Sequence, residues 1–318
     1  MKYRDLGKSG LHVSELCFGT LPMGPLQANI PLETAADILV SAIDQGITFF
    51  DTAQMYRTYP HLRRAMAQRP GTDLVISSKS TAEDYQTMEQ AVQEALRELG
   101  RDYIDIFLLH AARVPAAELF VKRGGAWQCL QDYKQKGYLR AVGVSTHVVQ
   151  TVEMLTAMPE VDIIFPLIND VGLGIIGGSV ADMRNAVDHA AAAGKGLFSM
   201  KLLGGGNLLA ELPQKIAFGR AIPAFSAHAI GMISARELEI NLRIFNDQPL
   251  DAEMLAGLGK GKSWFLFEPL CKHCGKCVKQ CPNGALLWQD NKPNLIRENC
   301  LLCGYCASDC PEFAIRVK

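Results

Sequence analysis

The first 250 residues alternate two kinds of apolar pattern. Short runs rich in branched and aromatic side chains read as buried strands: LCFGT (16–20), ITFFDTA (47–53), LVISSKS (74–80) and IDIFLLH (104–110). AVGVSTH (141–147), VDIIFPL (161–167), GLFSMKLL (196–203) and AHAIGMIS (227–234) continue the series. Between them lie longer stretches with apolar positions at helical spacing. TMEQAVQEALRELG (87–100) is one, ending on the glycine that commonly stops a helix. Eight such alternations predict an α/β fold, a (β/α)8 TIM barrel.

In such a barrel, chemistry sits where the strands end. Asp51 closes the second run, Lys79 the third and His110 the fourth, and Tyr56 follows Asp51 in the loop above it. Taken singly, each has a structural explanation: an aspartate caps the next turn, a lysine reaches solvent, a histidine bonds a neighbour. Four such residues on one barrel face make a candidate catalytic group.

Composition adds little until the cysteines. The 318 residues are 48% hydrophobic, with a formal net charge of −1, which argues against nucleic acid or an anionic membrane surface as partner. The polar start MKYRDLGKSG carries no signal-peptide run, and no stretch approaches the roughly 18 apolar residues of a spanning helix. A cytoplasmic protein with no membrane insertion is expected. Of ten cysteines, Cys17 and Cys129 stand alone and read as buried thiols. The other eight fall in CKHCGKCVKQCP (271–282) and CLLCGYCASDCP (300–311). That clustering points to metal in a reducing compartment rather than to disulfides. His147, His189 and His228 have no metal-ligand spacing among themselves.

Zinc sites commonly take two separated C-x2-C pairs, whereas C-x2-C-x2-C-x3-C before proline is similar to the bacterial ferredoxin run. Residues 271–318 thus resemble a two-cluster [4Fe–4S] ferredoxin-like domain. NGALLW (283–288) and EFAIRV (312–317) read as matching elements of an internal repeat. The resemblance implies crossed ligand sets, because the fourth cysteine of each run serves the other cluster. One set is Cys271, Cys274, Cys277 and Cys310; the other is Cys300, Cys303, Cys306 and Cys281. The expected organisation is a barrel over 1–250, a linker over 251–269 and an iron–sulfur domain over 270–318.

GLHVSELCFGT, ITFFDTAQMY, VISSK, LGRDYIDIFLLH and GYLRAVGVS, in that order, resemble successive motifs of the aldo-keto reductase family. The branch with a C-terminal ferredoxin-like extension fits the whole chain. The resemblance implies hydride transfer between a nicotinamide and a carbonyl or alcohol. It makes Tyr56 the general acid, its pKa drawn down from about 10 by the Lys79 ammonium. Asp51 would hold Lys79, and His110 would orient the substrate. Cofactor contacts would come from Ser145, Asn169 and the glycine-rich KLLGGGN loop (Lys201, Gly204, Gly205), with Gly231 and Asn241 at the adenosine end. The chain departs from the family pattern at Thr146, Phe165 and Met200, all on the carboxamide side. Glu237 stands where members using a 2′-phosphate place an arginine, which favours NAD(H) over NADP(H). DVGLGIIGG (170–178) reads as a lid or a simple loop.

A nicotinamide yields two electrons at once and a cluster accepts one, so a flavin on the protein or on a partner is expected between them. The leading expectation is an iron–sulfur oxidoreductase acting on a small-molecule carbonyl, with a flavoprotein or ferredoxin as redox partner. The alternatives are an electron-transfer subunit whose barrel is scaffold, and an NADH-dependent carbonyl reductase whose clusters are structural.

Overall fold

The computed structural model describes residues 1–258, 263–308, 310–312 and 314–317. A hairpin of β1 (Tyr3–Asp5) and β2 (His12–Ser14) precedes eight parallel strands that close on themselves. These are β3 (Leu16–Gly19), β4 (Phe49–Asp51), β5 (Val75–Ser80), β6 (Ile104–His110), β7 (Leu139–Thr146), β8 (Ile163–Pro166), β9 (Gly196–Met200) and β10 (Ala227–Gly231). They pair in sequence order, and β10 returns to β3 with Gly231 opposite Gly19. All eight expected strands are present.

The helices α1 (Leu32–Asp44), α2 (Tyr59–Gln68), α3 (Tyr85–Leu99), α4 (Ala116–Gln135), α5 (Val149–Thr156), α6 (Val180–Ala192), α7 (Leu212–Arg220) and α8 (Ala235–Phe245) follow the strands in turn. Helix α3 shows why the local sequence folds as it does. The Asp84 carboxylate accepts the Thr87 N–H at 2.9 Å to cap its start, and Gly100 takes the left-handed conformation that ends it.

The two-residue period of the strands sorts their side chains into two cores. Cys17, Phe49, Val75, Ile106, Leu108, Phe165 and Phe198 fill the barrel, joined from below by Leu6, Leu11 and Val13 of the hairpin. The alternate positions Phe18, Phe50, Ile76, Phe107 and Leu109 face the helices. This parity decides the site. Counting two residues on from Phe49, four from Val75 and two from Leu108 reaches Asp51, Lys79 and His110, so all three share the interior face.

Past α8 comes a short helix α9 (Ala252–Leu255), and then a small unit built of a repeat. Strand β11 (Trp264–Leu266) pairs antiparallel with β14 (Ile315–Val317), and β12 (Leu286–Gln289) with β13 (Lys292–Leu295). Helices α10 (Lys276–Gln280) and α11 (Tyr305–Ser308) lie within the two cysteine runs. The stretch expected as linker is therefore partly regular structure, since β11 is paired with the far end of the chain; residues 259–262 of it lie outside the described residues. No helix among the described residues is long and apolar enough to cross a membrane.

Candidate functional site

Asp51, Tyr56, Lys79 and His110 meet at the C-terminal mouth of the barrel, all at least nine-tenths buried. The Lys79 ammonium donates to both Asp51 carboxylate oxygens at 2.8 and 2.7 Å and to the Thr52 carbonyl at 2.7 Å. An ammonium has three protons, and Lys79 spends all three on this strand. Its charge lies 4.7 Å from the centre of the Tyr56 ring, over the face of the ring. Burial pushes Asp51 up and Lys79 down, and each partner opposes the shift of the other.

The Tyr56 phenol does not move as the sequence suggests. Burial, then the neighbouring Tyr305 and Asp51, push its pKa well above the ordinary value. Tyr56 is held protonated. Burial also takes His110 well below the usual imidazole range, with the Lys79 cation next in effect, so the ring is neutral.

Tyr305 is the residue that sequence reasoning missed. It begins α11, between Cys303 and Cys306, and reaches into the barrel mouth. Its hydroxyl lies 3.1 Å from His110 Nε2 and hydrogen-bonds that of Tyr56. The cysteine-run backbone is seated on the barrel around it. Asn207 donates to the Cys300 carbonyl at 2.7 Å, Gln27 to the Cys303 carbonyl at 3.3 Å and Arg113 to the Cys281 carbonyl at 3.4 Å. The glycine-rich loop is part of this seat. A Cβ on Gly205 would come within 1.8 Å of the Leu301 carbonyl oxygen, and Gly205 has φ of 72°. The 170–178 loop also meets the unit, through Gly174 against the Leu301 side chain.

From Asp51 and Tyr56 a groove of about 770 Å³ runs outward past Phe165, Met200, Lys201, Gly205 and Gly231 to Glu237 and Asn241. Ser145 and Asn241 each keep a buried side-chain oxygen with no partner among the described residues. Ser145, Gly204 and Asn169 do not line the groove. The Asn169 amide is fully buried and ties the Leu173 backbone and the Lys201 carbonyl together. Phe165 stacks on Phe198 at 3.8 Å and offers the groove no hydrogen bond. Arg236 Nη2 lies among the carbonyls of Glu253, Met254 and Ala256, while the Glu237 carboxylate accepts the Ile233 N–H.

Residues 15–221 match the aldo/keto reductase family over more than half of the chain. The chain belongs to that family. Residues 270–314 match a 4Fe-4S dicluster domain. Among similar proteins, Protein REDOX 2 of Catharanthus roseus is 29% identical over 187 residues, 52% of this chain and 56% of that one. Rhazimal reductase 2 of Alstonia scholaris is 30% identical over 181 residues, 50% and 54% of the two chains. The chain thus spans about half the length of the curated relatives it matches. A solved aldo-keto reductase structure from Pseudomonas aeruginosa superimposes with a TM-score of 0.65 at 25% identity, over 77% of this chain and 94% of that one. One from Bacillus halodurans, in its holo form, shares the fold at 20% identity with a TM-score of 0.64, over 82% and 96%.

In this family the groove is where a nicotinamide cofactor is to be sought, and the residues fit it in part. The unpartnered Asn241 oxygen lies at the adenosine end, whereas Ser145 stands off the groove and Phe165 supplies no amide contact. The cysteine runs fit clusters more closely. Burial, then the sulfurs of Cys271, Cys274 and Cys310, push the Cys277 thiol up to about 11, so these four share one neighbourhood. Burial, then Cys303, Cys281 and Cys300, act in the same direction on Cys306. The repeat is followed atom by atom: Ala285 N–H donates to Cys281 Sγ and Ala314 N–H to Cys310 Sγ, both at 3.2 Å. His273 and Leu302 both adopt positive φ, as do Gly275 and Gly304, curling each run around its sulfurs. Among the described residues, no three or more His, Cys, Asp or Glu are drawn together tightly enough for a single metal ion.

Proposed function

We propose that this aldo-keto reductase is an oxidoreductase that reduces a carbonyl or related small molecule, with electrons exchanged through two [4Fe–4S] clusters. The observation that carries the reading is Tyr305. The position where Tyr56 and His110 converge, which a substrate oxygen would take, is filled by a hydroxyl from the turn between Cys303 and Cys306. A scaffold barrel would have no reason to receive that side chain, and a purely structural iron–sulfur unit could have been anchored anywhere on the surface.

When bound, the nicotinamide supplies hydride, the clusters single electrons, and a flavin on the protein or on a partner the conversion between the two. The chain's own residues do the rest. Tyr56, held protonated by its surroundings, is the proton donor to the substrate oxygen. His110, neutral, presents Nε2 to the same oxygen and fixes its position. Asp51 and Lys79 form a buried ion pair that holds the ends of β4 and β5 together and sets the floor under Tyr56. Cys300, Cys303, Cys306 and Cys281 would hold one cluster, and Cys271, Cys274, Cys277 and Cys310 the other. Cys274 is exposed, which gives a redox partner access on that side. Glu237 beside the groove, with Arg236 turning Nη2 toward backbone carbonyls, favours NADH over NADPH.

The test is a visible spectrum of the cluster-loaded protein under anaerobic conditions, before and after NADH and then NADPH. Bleaching of the cluster absorbance by NADH, and less by NADPH, is the expected result. Clusters that ignore both nucleotides but respond to dithionite would rule out the self-contained route. If NADH-driven carbonyl reduction then proceeds with the clusters unbleached, the clusters are structural.

A further inference from the structure

The mouth of the barrel has a second opening, on the other side of Tyr305 from the nicotinamide groove. It is a cavity of about 1360 Å³ with His110 and Tyr305 on its inner wall. Among the described residues, six arginine and lysine side chains line it, including Arg57, Arg113 and Arg123, against two carboxylates, Glu83 and Glu118. This concentration of cations stands out in a chain of formal net charge −1. Lys122 and Glu118 neutralise each other at 2.6 Å. Arg57 is solvent-exposed and held beside Tyr56 in a left-handed turn.

Arg123 is the informative member. It is 8% exposed, and the helix α4 breaks at it, with φ −125° and ψ 19°. The break turns its guanidinium beneath the end of β6, where Nη1 donates to the His110 carbonyl at 2.9 Å. Its Nε has no partner among the described residues, and the nearest carboxylate, Glu83, is 3.9 Å away and largely solvated. A buried guanidinium with an unpaired N–H and no close counter-ion is costly to maintain. Arg123 lines the cavity, and an anion there would supply the counter-ion that this guanidinium lacks.

Resting on the reading above, we propose that this cavity is the substrate pocket and that its substrate is an anionic carbonyl compound. The carboxylate or phosphate pairs with Arg123, assisted by Arg57, and the carbonyl oxygen displaces the Tyr305 hydroxyl between His110 and Tyr56. The competing use of these cations is to offset the negative charge of the clusters, as Arg113 could at the Cys281 carbonyl. Arg123 separates the two, because its bond is to the barrel.

Calorimetry decides it, with oxalate, inorganic phosphate and neutral oxamide titrated into the cluster-loaded full chain. At least one of the two anions should bind and oxamide should not. Tighter binding of oxalate identifies a carboxylate substrate, and tighter binding of phosphate a phosphate ester. Arg123→Met should weaken the preferred anion by about tenfold or more, with cluster absorbance and midpoint potential unchanged. Arg57→Gln, on the exposed wall, should weaken it severalfold and serves if Arg123→Met does not fold. The proposal is overturned if neither anion binds, if the variants bind as the parent does, or if Arg123→Met shifts the potential and leaves affinity intact. Turnover of a neutral aldehyde reports on the Tyr56 reading separately, so either conclusion can fail without the other.

Discussion

Lys79 places all three of its protons on Asp51 and Thr52, and this bears on both stability and proton transfer. Each charge is buried and made tolerable by the other. Lys79→Met should therefore cost about 3–5 kcal/mol, the usual penalty for stranding one member of a buried pair. Urea denaturation would measure it, and adding Asp51→Asn should return a large part of the loss. Recovery absent from the double variant would mean that Lys79 acts through packing alone. The same geometry fixes the pH profile of carbonyl reduction. With Tyr56 as the proposed proton donor, its raised folded pKa keeps the donor form through neutral pH, to be lost only as pH climbs past the ordinary tyrosine range. His110, depressed well below 6.5, stays neutral down to acid pH. The rate should be flat from about pH 6 to about pH 9; a limb near 6.5 in steady-state rates would contradict the neutral His110. Asp51, Lys79 and His110 were legible in the sequence because strand parity forces them to the interior side. The direction of the Tyr56 shift was not, since it depends on burial and on the neighbouring Tyr305. Tyr305 was missed because it occupies a filler position of a cysteine run. Its only trace is the contrast with Lys276, its counterpart in the first run.

At the level of elements, the eight barrel strands could be read from apolar runs because a parallel sheet covered on both faces keeps nearly every position buried. The β1–β2 hairpin escaped, being short and half polar, although its Leu6, Leu11 and Val13 close the barrel floor. Strand β11 read as linker because its partner β14 lies some fifty residues on, and no local pattern announces such a pairing. The KLLGGGN loop, read as a cradle for pyrophosphate, also seats the iron–sulfur unit, a contact that only the assembled chain reveals. That seat makes a specific prediction. Gly205 faces the Leu301 carbonyl and Gly304 the Leu26 carbonyl, each at positive φ with no room for a methyl group. Gly205→Ala or Gly304→Ala should loosen the unit from the barrel without unfolding either, raising amide exchange across 300–306 and at residues 26–27. Exchange unchanged in both variants would show that the seat is held by the Asn207 and Gln27 bonds instead.

At the level of the molecule, two openings flank one reacting position, and the side chain between them belongs to a cluster-binding turn. The barrel has a continuous core of its own, whereas among the described residues the small unit buries only a few side chains: Ala285, Leu286, Leu301, Leu302, Ala314, Ile315 and Val317, with Cys277, Cys300 and Cys306. A unit of that size lacks the core to stand without metal, so its fold is coupled to the clusters it holds. Removing iron with a chelator under reducing conditions should therefore release residues 264–317 while the strands from Leu16 to Gly231 keep their protection. Because Tyr305 is carried by the released segment, its bond to His110 should go with it. The neutral His110 ring would then be open to diethyl pyrocarbonate, which attacks unprotonated imidazole. Its modification, read by peptide mass, should quicken several-fold after iron removal while that of His228, buried in the barrel against Ser199, stays as it was. A rate at His110 that does not respond to iron would mean Tyr305 holds its place without the clusters. The barrel mouth and the iron–sulfur unit would then be neighbours without being coupled.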